Sequence, residues 1–151
     1  MKKNILTCLF LGMSLTYSMA QNDSIPQTMA QQNEAKKVAG KWFSQLIAGK
    51  HIDAVMAVSA LPFAMDGKVI LNTKKELRDF YRKVVKDKGE RKVPEFIAEI
   101  HGFKHEILNK YIPLNVLVVK IKITDENRSK GDVLVSVSIS DTKLKVIGFS
   151  D

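Results

Sequence analysis

The chain has almost no cysteine. Cys8 is the only one among 151 residues, and it falls in an N-terminal stretch that reads as a removable leader. Without it there is no disulfide framework, no cysteine nucleophile and no thiolate-ligated metal site. The mature domain must then hold together by its core. Histidines number only three, and no HExxH or comparable spacing brings two of them together, so neither a metal nor a cofactor is expected. His101 and His105 lie four apart in what reads as a strand, about 13 Å from each other and too far to chelate one ion unaided. After the leader, no run approaches the roughly 20 apolar residues that a membrane-spanning helix needs. Internal repeats and low-complexity tracts are also missing.

The first twenty residues have the order of a secretory signal. Lys2 and Lys3 supply the positive start, Ile5 to Tyr17 a short apolar run, and Ser18-Met19-Ala20 a small-residue cleavage site before Gln21. A lipid anchor would need a cysteine where Gln21 stands. These features predict a periplasmic or secreted protein with no transmembrane segment in its mature chain. The expected organisation is a signal peptide over 1–20, a flexible leader over 21–32 and a single domain over 33–151. Asp23-Ser24-Ile25 resembles the short O-glycosylation acceptor of Bacteroidetes. Of the 24 Lys and Arg residues the signal takes two, and of the 16 acids none. The mature chain therefore carries 22 against 16, a net of +6. Export argues against nucleic acid as the partner and leaves anionic surfaces, small anions or plain solubility.

Apolar periodicity marks the elements. Ala35, Val38, Ala39, Trp42, Phe43, Leu46 and Ile47 form a helical stripe that Gly49 ends. A shorter helix covers Asp53 to Val58, with Pro62 stopping any continuation. Asp66-Gly67 between apolar segments predicts a tight hairpin turn. Thr73-Lys74-Lys75-Glu76 is a capping box opening a helix whose stripe is Leu77, Phe80, Tyr81, Val84 and Val85. The rest reads as strands over Glu95 to Phe103, with an extension towards Ile107, then Asn115 to Thr124, Asp132 to Ser140 and Leu144 to Phe149. Each alternates, so one face should pack and the other be wet. Short loops between them imply an antiparallel meander, and the fold class is α+β.

This order of elements resembles the nuclear transport factor 2-like superfamily, which includes the SnoaL-like cyclases. The echoes are Ala39 to Ile47 (AGKWFSQLI), Leu61 to Ile70 (LPFAMDGKVI) followed by a helix, and the closing Val146-Ile147-Gly148-Phe149. The resemblance covers about residues 31–151. It implies a cone: N-terminal helices packed in the hollow of a strongly curved antiparallel sheet. It also implies a pocket inside the cone and, often, a homodimer through the sheet's outer face. The superfamily holds isomerases, dehydratases, cyclases, ligand binders and interaction modules, so the fold alone names no activity.

Family enzymes place an Asp, His or Tyr inside the cone. Asp66 is explained by its turn. Glu99 and His101 sit two apart on a strand and share a face, where a carboxylate beside an imidazole would make a general acid–base pair. Phe96, Ala98 and Ile100 compete as the buried face, but Ile97 and Phe103 share the face of the pair, so the buried side of 95–103 stays open. Trp42, Phe43 and Tyr81 are core residues that would line any cavity beneath the first helix; Tyr81 and Tyr111 could donate hydrogen bonds there. Between Lys68 and Lys92 stand ten Lys or Arg against four acids, read first as a solvated helix face and second as an anion-facing patch. With no converging catalytic set, the expectation is a non-enzymatic module that binds a small apolar or anionic ligand. The alternative is an isomerase- or dehydratase-like enzyme using Glu99 and His101.

Overall fold

A computed structural model describes residues 28–66, 68–107, 113–124, 131–139 and 143–150. The segment read as a signal peptide, the start of the stretch read as a leader and Tyr111 lie outside the described residues. Among the described residues three helices, α1 (Met29–Ala48), α2 (Ile52–Val58) and α3 (Lys74–Lys88), accompany six strands. These are β1 (Ser59–Met65), β2 (Val69–Leu71), β3 (Phe96–Ile107), β4 (Pro113–Ile123), β5 (Asp132–Ser138) and β6 (Lys145–Ser150). They form one curved sheet in the order β2-β1-β6-β5-β4-β3. Among the described residues no helix is long and apolar enough to cross a membrane.

Helix α1 starts at Met29, within the stretch read as flexible leader. The Thr28 hydroxyl accepts the Gln31 N–H at 3.2 Å, and Gln31 Oε1 accepts the Thr28 N–H at 3.1 Å. This reciprocal cap satisfies two donors that a helix end otherwise leaves open. The first turn is largely solvent-facing, so no apolar periodicity announced it. Gly49, at φ 68°, ends the helix in the left-handed region that glycine adopts without strain. The Thr73–Glu76 box forms as its sequence implies. Glu76 accepts the Asn72 and Thr73 N–H groups, each at 2.9 Å, and these backbone bonds hold its carboxyl below the usual range.

One expectation about the sheet needs correction. It is not wholly antiparallel: β1 and β6 run parallel, with Ala64 opposite Gly148. A parallel pair needs a long crossover, and here α3 and strands β2 to β5 supply it. Local patterns reveal only neighbours joined by short loops. Pro62 lies past the end of α2 and within β1. It falls in the irregular stretch between the Ser59–Val146 and Ala64–Gly148 pairs and before the β2 register begins at Phe63. There its missing N–H interrupts no registered pair.

A β-bulge in β3 settles which face is buried. Ile100 pairs with Val119 and Gly102 with Val118, so His101 is the extra residue. One inserted residue reverses the alternation. Phe96, Ala98 and Ile100 face the core before it, and Phe103 does so after it. Ile97 and Glu99 consequently point outward. Phe103 shared their parity in sequence but not their side in the fold.

The core lies between the helices and the inner face of the sheet. α1 contributes Ala35, Ala39, Trp42 and Phe43, α2 contributes Val55, and α3 contributes Leu77 and Tyr81. Opposite them stand Phe63, Leu117, Val119, Ile121, Val135, Val137 and Val146. Val116, Val118 and Ile147 are also buried, although they stand outside that cluster. The outer face is therefore not uniformly wet, as simple alternation had suggested. Strands β6 and β1 close so tightly that a Cβ on Gly148 would overlap the Ala64 carbonyl oxygen. A Gly148→Ala substitution is expected to lower stability by about 1–3 kcal/mol, the usual cost of overpacking. Urea unfolding of the mature chain measures it, and an unchanged midpoint would show that the strands can part freely here.

Candidate functional site

The apolar stripe of α1 does not end where the core is fully packed. Its last two turns carry Trp42, Phe43, Leu46 and Ile47 into the wall of a cavity of about 360 Å³. Phe80, Val84 and Lys88 of α3, spaced four apart along one side of that helix, form the facing wall, and Gly89 and Arg91 follow beyond its end. Met65 and Asp66 close the site from the end of β1, and Val133 and Phe149 from β5 and β6. Nine of these side chains are apolar. The three charged ones, Asp66, Lys88 and Arg91, are solvent-exposed and so mark the mouth.

Aromatic rings hold the deep end open. Trp42 packs against Phe149 with centroids 5.4 Å apart, and Phe80 meets Phe149 at 6.3 Å. Phe63 stands edge-on to Tyr81 at 5.9 Å. Tilted and edge-to-face contacts of this kind are favoured over flat stacking by the ring quadrupoles.

Behind this wall runs a buried chain of hydrogen bonds. Trp42 Nε1 donates to the Tyr81 hydroxyl at 2.9 Å. The Tyr81 and Ser59 hydroxyls are 2.7 Å apart, and Ser59 Oγ donates to the Val55 carbonyl at 2.8 Å. Ser59 has one proton, spent on Val55, so Tyr81 is the donor in the bond between the two hydroxyls. Every proton in the chain is thereby assigned, and the tyrosine has none left to offer a ligand. Burial pushes its phenol up to about 12, against the opposing effect of the Ser59 and Trp42 hydrogen bonds.

Of the residues singled out in the sequence, Trp42 and Phe43 reach the cavity wall. Tyr81 is fully buried one layer behind it. Glu99 and His101 are exposed and stand apart from the cavity. Glu99 bonds Lys122 at 2.6 Å, which raises the lysine first through that hydrogen bond and then through charge. His101, displaced by the bulge, makes no hydrogen bond with Glu99. The proposed acid–base pair is thus not assembled. Among the described residues no group of three His, Cys, Asp or Glu side chains converges to hold a metal. Sequence reading missed Phe149, Lys88 and Arg91 as site residues. The spacing of 80, 84 and 88 was the available signal for Lys88, hidden inside a long basic run. Nothing local marked Arg91 or Phe149, which arrive through chain reversal and sheet order.

Comparison with known proteins places this arrangement structurally. No family model matches the sequence, and no curated protein does. A protein of unknown function with a cystatin-like fold from Nostoc punctiforme PCC 73102 is similar in structure. Its TM-score is 0.51 and its identity 16%, over 82% of this chain and 90% of its own. A domain of unknown function with a cystatin-like fold from the same organism has TM-score 0.50 and identity 16%, over 82% of this chain and 76% of its own.

Removing the Tyr81 hydroxyl leaves the Trp42 N–H without its acceptor. Tyr81→Phe is expected to cost about 1–3 kcal/mol in urea unfolding, the penalty for orphaning a buried donor. The phenol also imposes an alkaline limit. Its folded pKa lies above the unfolded value near 10, so its contribution is complete below pH 10. It is lost as pH rises towards 12, by roughly 2–3 kcal/mol. The Phe variant should lack this part of the alkaline decline, and equal decline in both proteins would refute the assignment.

Proposed function

Starting from a chain with the cystatin-like, nuclear transport factor 2-like fold, we propose that the protein is an exported, non-enzymatic binding module that takes a small apolar ligand into its cavity. The observation that carries this reading is the lining itself: among the described residues nine apolar side chains converge on one concavity, with charge only at its mouth. Small-molecule sites have this character, mostly apolar walls with a few placed polar groups, in volumes of about 300–1,000 Å³. Tyr81, buried behind the lining, has its hydroxyl fully engaged by Trp42 and Ser59.

An isomerase or dehydratase would need an acid or base beside the bound ligand. Glu99 and His101 lie outside the cavity, and among the described residues Asp66 is the only carboxylate in its lining. Asp66 occupies the turn after β1 at φ 51°, a backbone requirement that accounts for its type. Export rests on the signal-like N-terminus and sets the site of action in the periplasm or outside the cell. Pairing of two copies through the outer sheet face belongs to the same proposal. Ile97 supports it, being 52% exposed there beside the Glu99–Lys122 pair.

The tests are direct. N-phenyl-1-naphthylamine, a neutral apolar fluorophore, should bind the mature protein saturably and alter the emission of Trp42, the chain's single tryptophan. Val84→Trp, which fills the facing wall, should weaken that binding by at least about tenfold. A probe that does not bind, or that binds the filled variant equally well, rules out the cavity as the site. Sedimentation at micromolar concentration should show a dimer that Ile97→Lys dissociates; a monomer under all conditions removes the pairing.

A further inference from the structure

The charges at the mouth of the cavity are unequal. Among the described residues, Lys88 and Arg91 stand against the one carboxylate of Asp66. Among the described residues none of the three is joined to another in an ion pair, although several other Lys and Arg residues on this surface are so engaged. Arg78 bonds Asp53 at 2.7 Å, Arg82 reaches Asp79 at 3.5 Å, and Lys50 reaches Glu90 at 3.5 Å. Lys88 and Arg91 are thus basic groups beside the apolar cavity that no acid among the described residues pairs with.

Arg91 is also held in place. Its Nε donates to the Lys88 carbonyl at 3.0 Å. That contact takes one of the five guanidinium N–H groups and leaves four unused, in a planar fork suited to a carboxylate. It also keeps the guanidinium close to the backbone of Lys88, so both cations belong to one short segment around Gly89. An alternative account is that they offset the partial negative charge at the end of α3. Lys86 occupies the same last turn and does not line the cavity, so helix-end compensation does not require the two that do.

We infer that the cavity takes a single-chain amphiphilic carboxylate, with its apolar tail against Trp42, Phe80 and Phe149 and its carboxylate at Lys88 and Arg91. This rests on the binding-module reading and goes beyond it by naming the head group. The volume, about 360 Å³, lies at the lower end of ligand cavities. It suits one acyl chain or a small ring system rather than a two-chain lipid. Asp66 opposes the anion at the same mouth, which makes the preference moderate.

The test compares dodecanoate, below its micellar concentration, with dodecanol, below its solubility limit, using Trp42 emission of the mature protein at low salt. Dodecanoate is expected to bind about tenfold more tightly, which corresponds to about 1.4 kcal/mol from two exposed charge contacts. Lys88→Gln combined with Arg91→Gln should erase that difference. Lys83→Gln combined with Lys86→Gln, which removes the same charge from α3 away from the cavity, should preserve it. Salt at 1 M should shrink it, because screening then acts within about 3 Å. Equal binding of the two ligands overturns the carboxylate inference while the binding-module reading stands. Loss of the preference in the Lys83/Lys86 variant overturns it too, by assigning the effect to overall charge. Failure of both ligands to bind removes the module reading and this inference with it. Binding to phosphatidylglycerol vesicles without a dodecanoate response assigns the basic groups to a membrane surface and overturns the inference.

Discussion

The position of the Trp42 side chain is the constraint from which the rest of the arrangement follows. It leaves α1, packs on Phe63 of β1 and Phe149 of β6, and donates its N–H to Tyr81 of α3. Tyr81 passes the connection to Ser59 at the start of β1, and Ser59 ends it on the Val55 carbonyl of α2. All three helices and the adjacent strands β1 and β6 are therefore tied to one buried group. Each hydrogen bond adds only about 1 kcal/mol net, but an orphaned donor in this apolar setting costs more. The chain of bonds thus acts chiefly to exclude other placements of the helices on the sheet.

A cavity is the geometric consequence. Trp42 and Tyr81 hold α1 and α3 at a separation set by rings, not by flexible aliphatic chains. Past Trp42 the stripe of α1 continues through Leu46 and Ile47. α3 opposes it with Phe80 and Val84, and there the ring-to-ring filling stops at Phe149. The helices cannot collapse into the remaining space without breaking the Trp42–Tyr81 contact. The open end is where α3 gives way to Gly89 and where β1 turns at Asp66. Both chain reversals expose polar groups to water, which gives the site dry walls and a charged rim.

The sequence showed most of the helices and strands and much less of their mutual placement. The capping box at Thr73, the helical stripe at Leu77, Phe80, Tyr81 and Val84, and the alternation of β4 and β5 were all legible. Each is a local pattern set by backbone periodicity. The start of α1 was not legible, because its first turn faces water and only the Thr28–Gln31 cap defines it. The bulge at His101 was equally hidden. Gly102 was its one local trace, and a single glycine in a strand does not say which residue is extruded. Yet that one residue decides that Phe103 turns to the core while Glu99 turns outward to Lys122. Parity alone left the buried side of this strand open, and the bulge decided it, leaving Glu99 and His101 exposed and apart from the cavity.

What the sequence by itself determined is the class of the protein: an α+β domain without disulfides, with an aromatic-bearing first helix, a capped third helix and a run of alternating strands. These follow from short-range spacing, which chain chemistry imposes within a few residues. Tertiary structure alone decided that β6 returns to lie parallel to β1, that Tyr81 spends its hydroxyl on Trp42 and Ser59, and that Phe149, Lys88 and Arg91 meet around one hollow. Those outcomes depend on which distant surfaces exclude water together, and on which buried donors find acceptors, and neither is written in the spacing of any one segment.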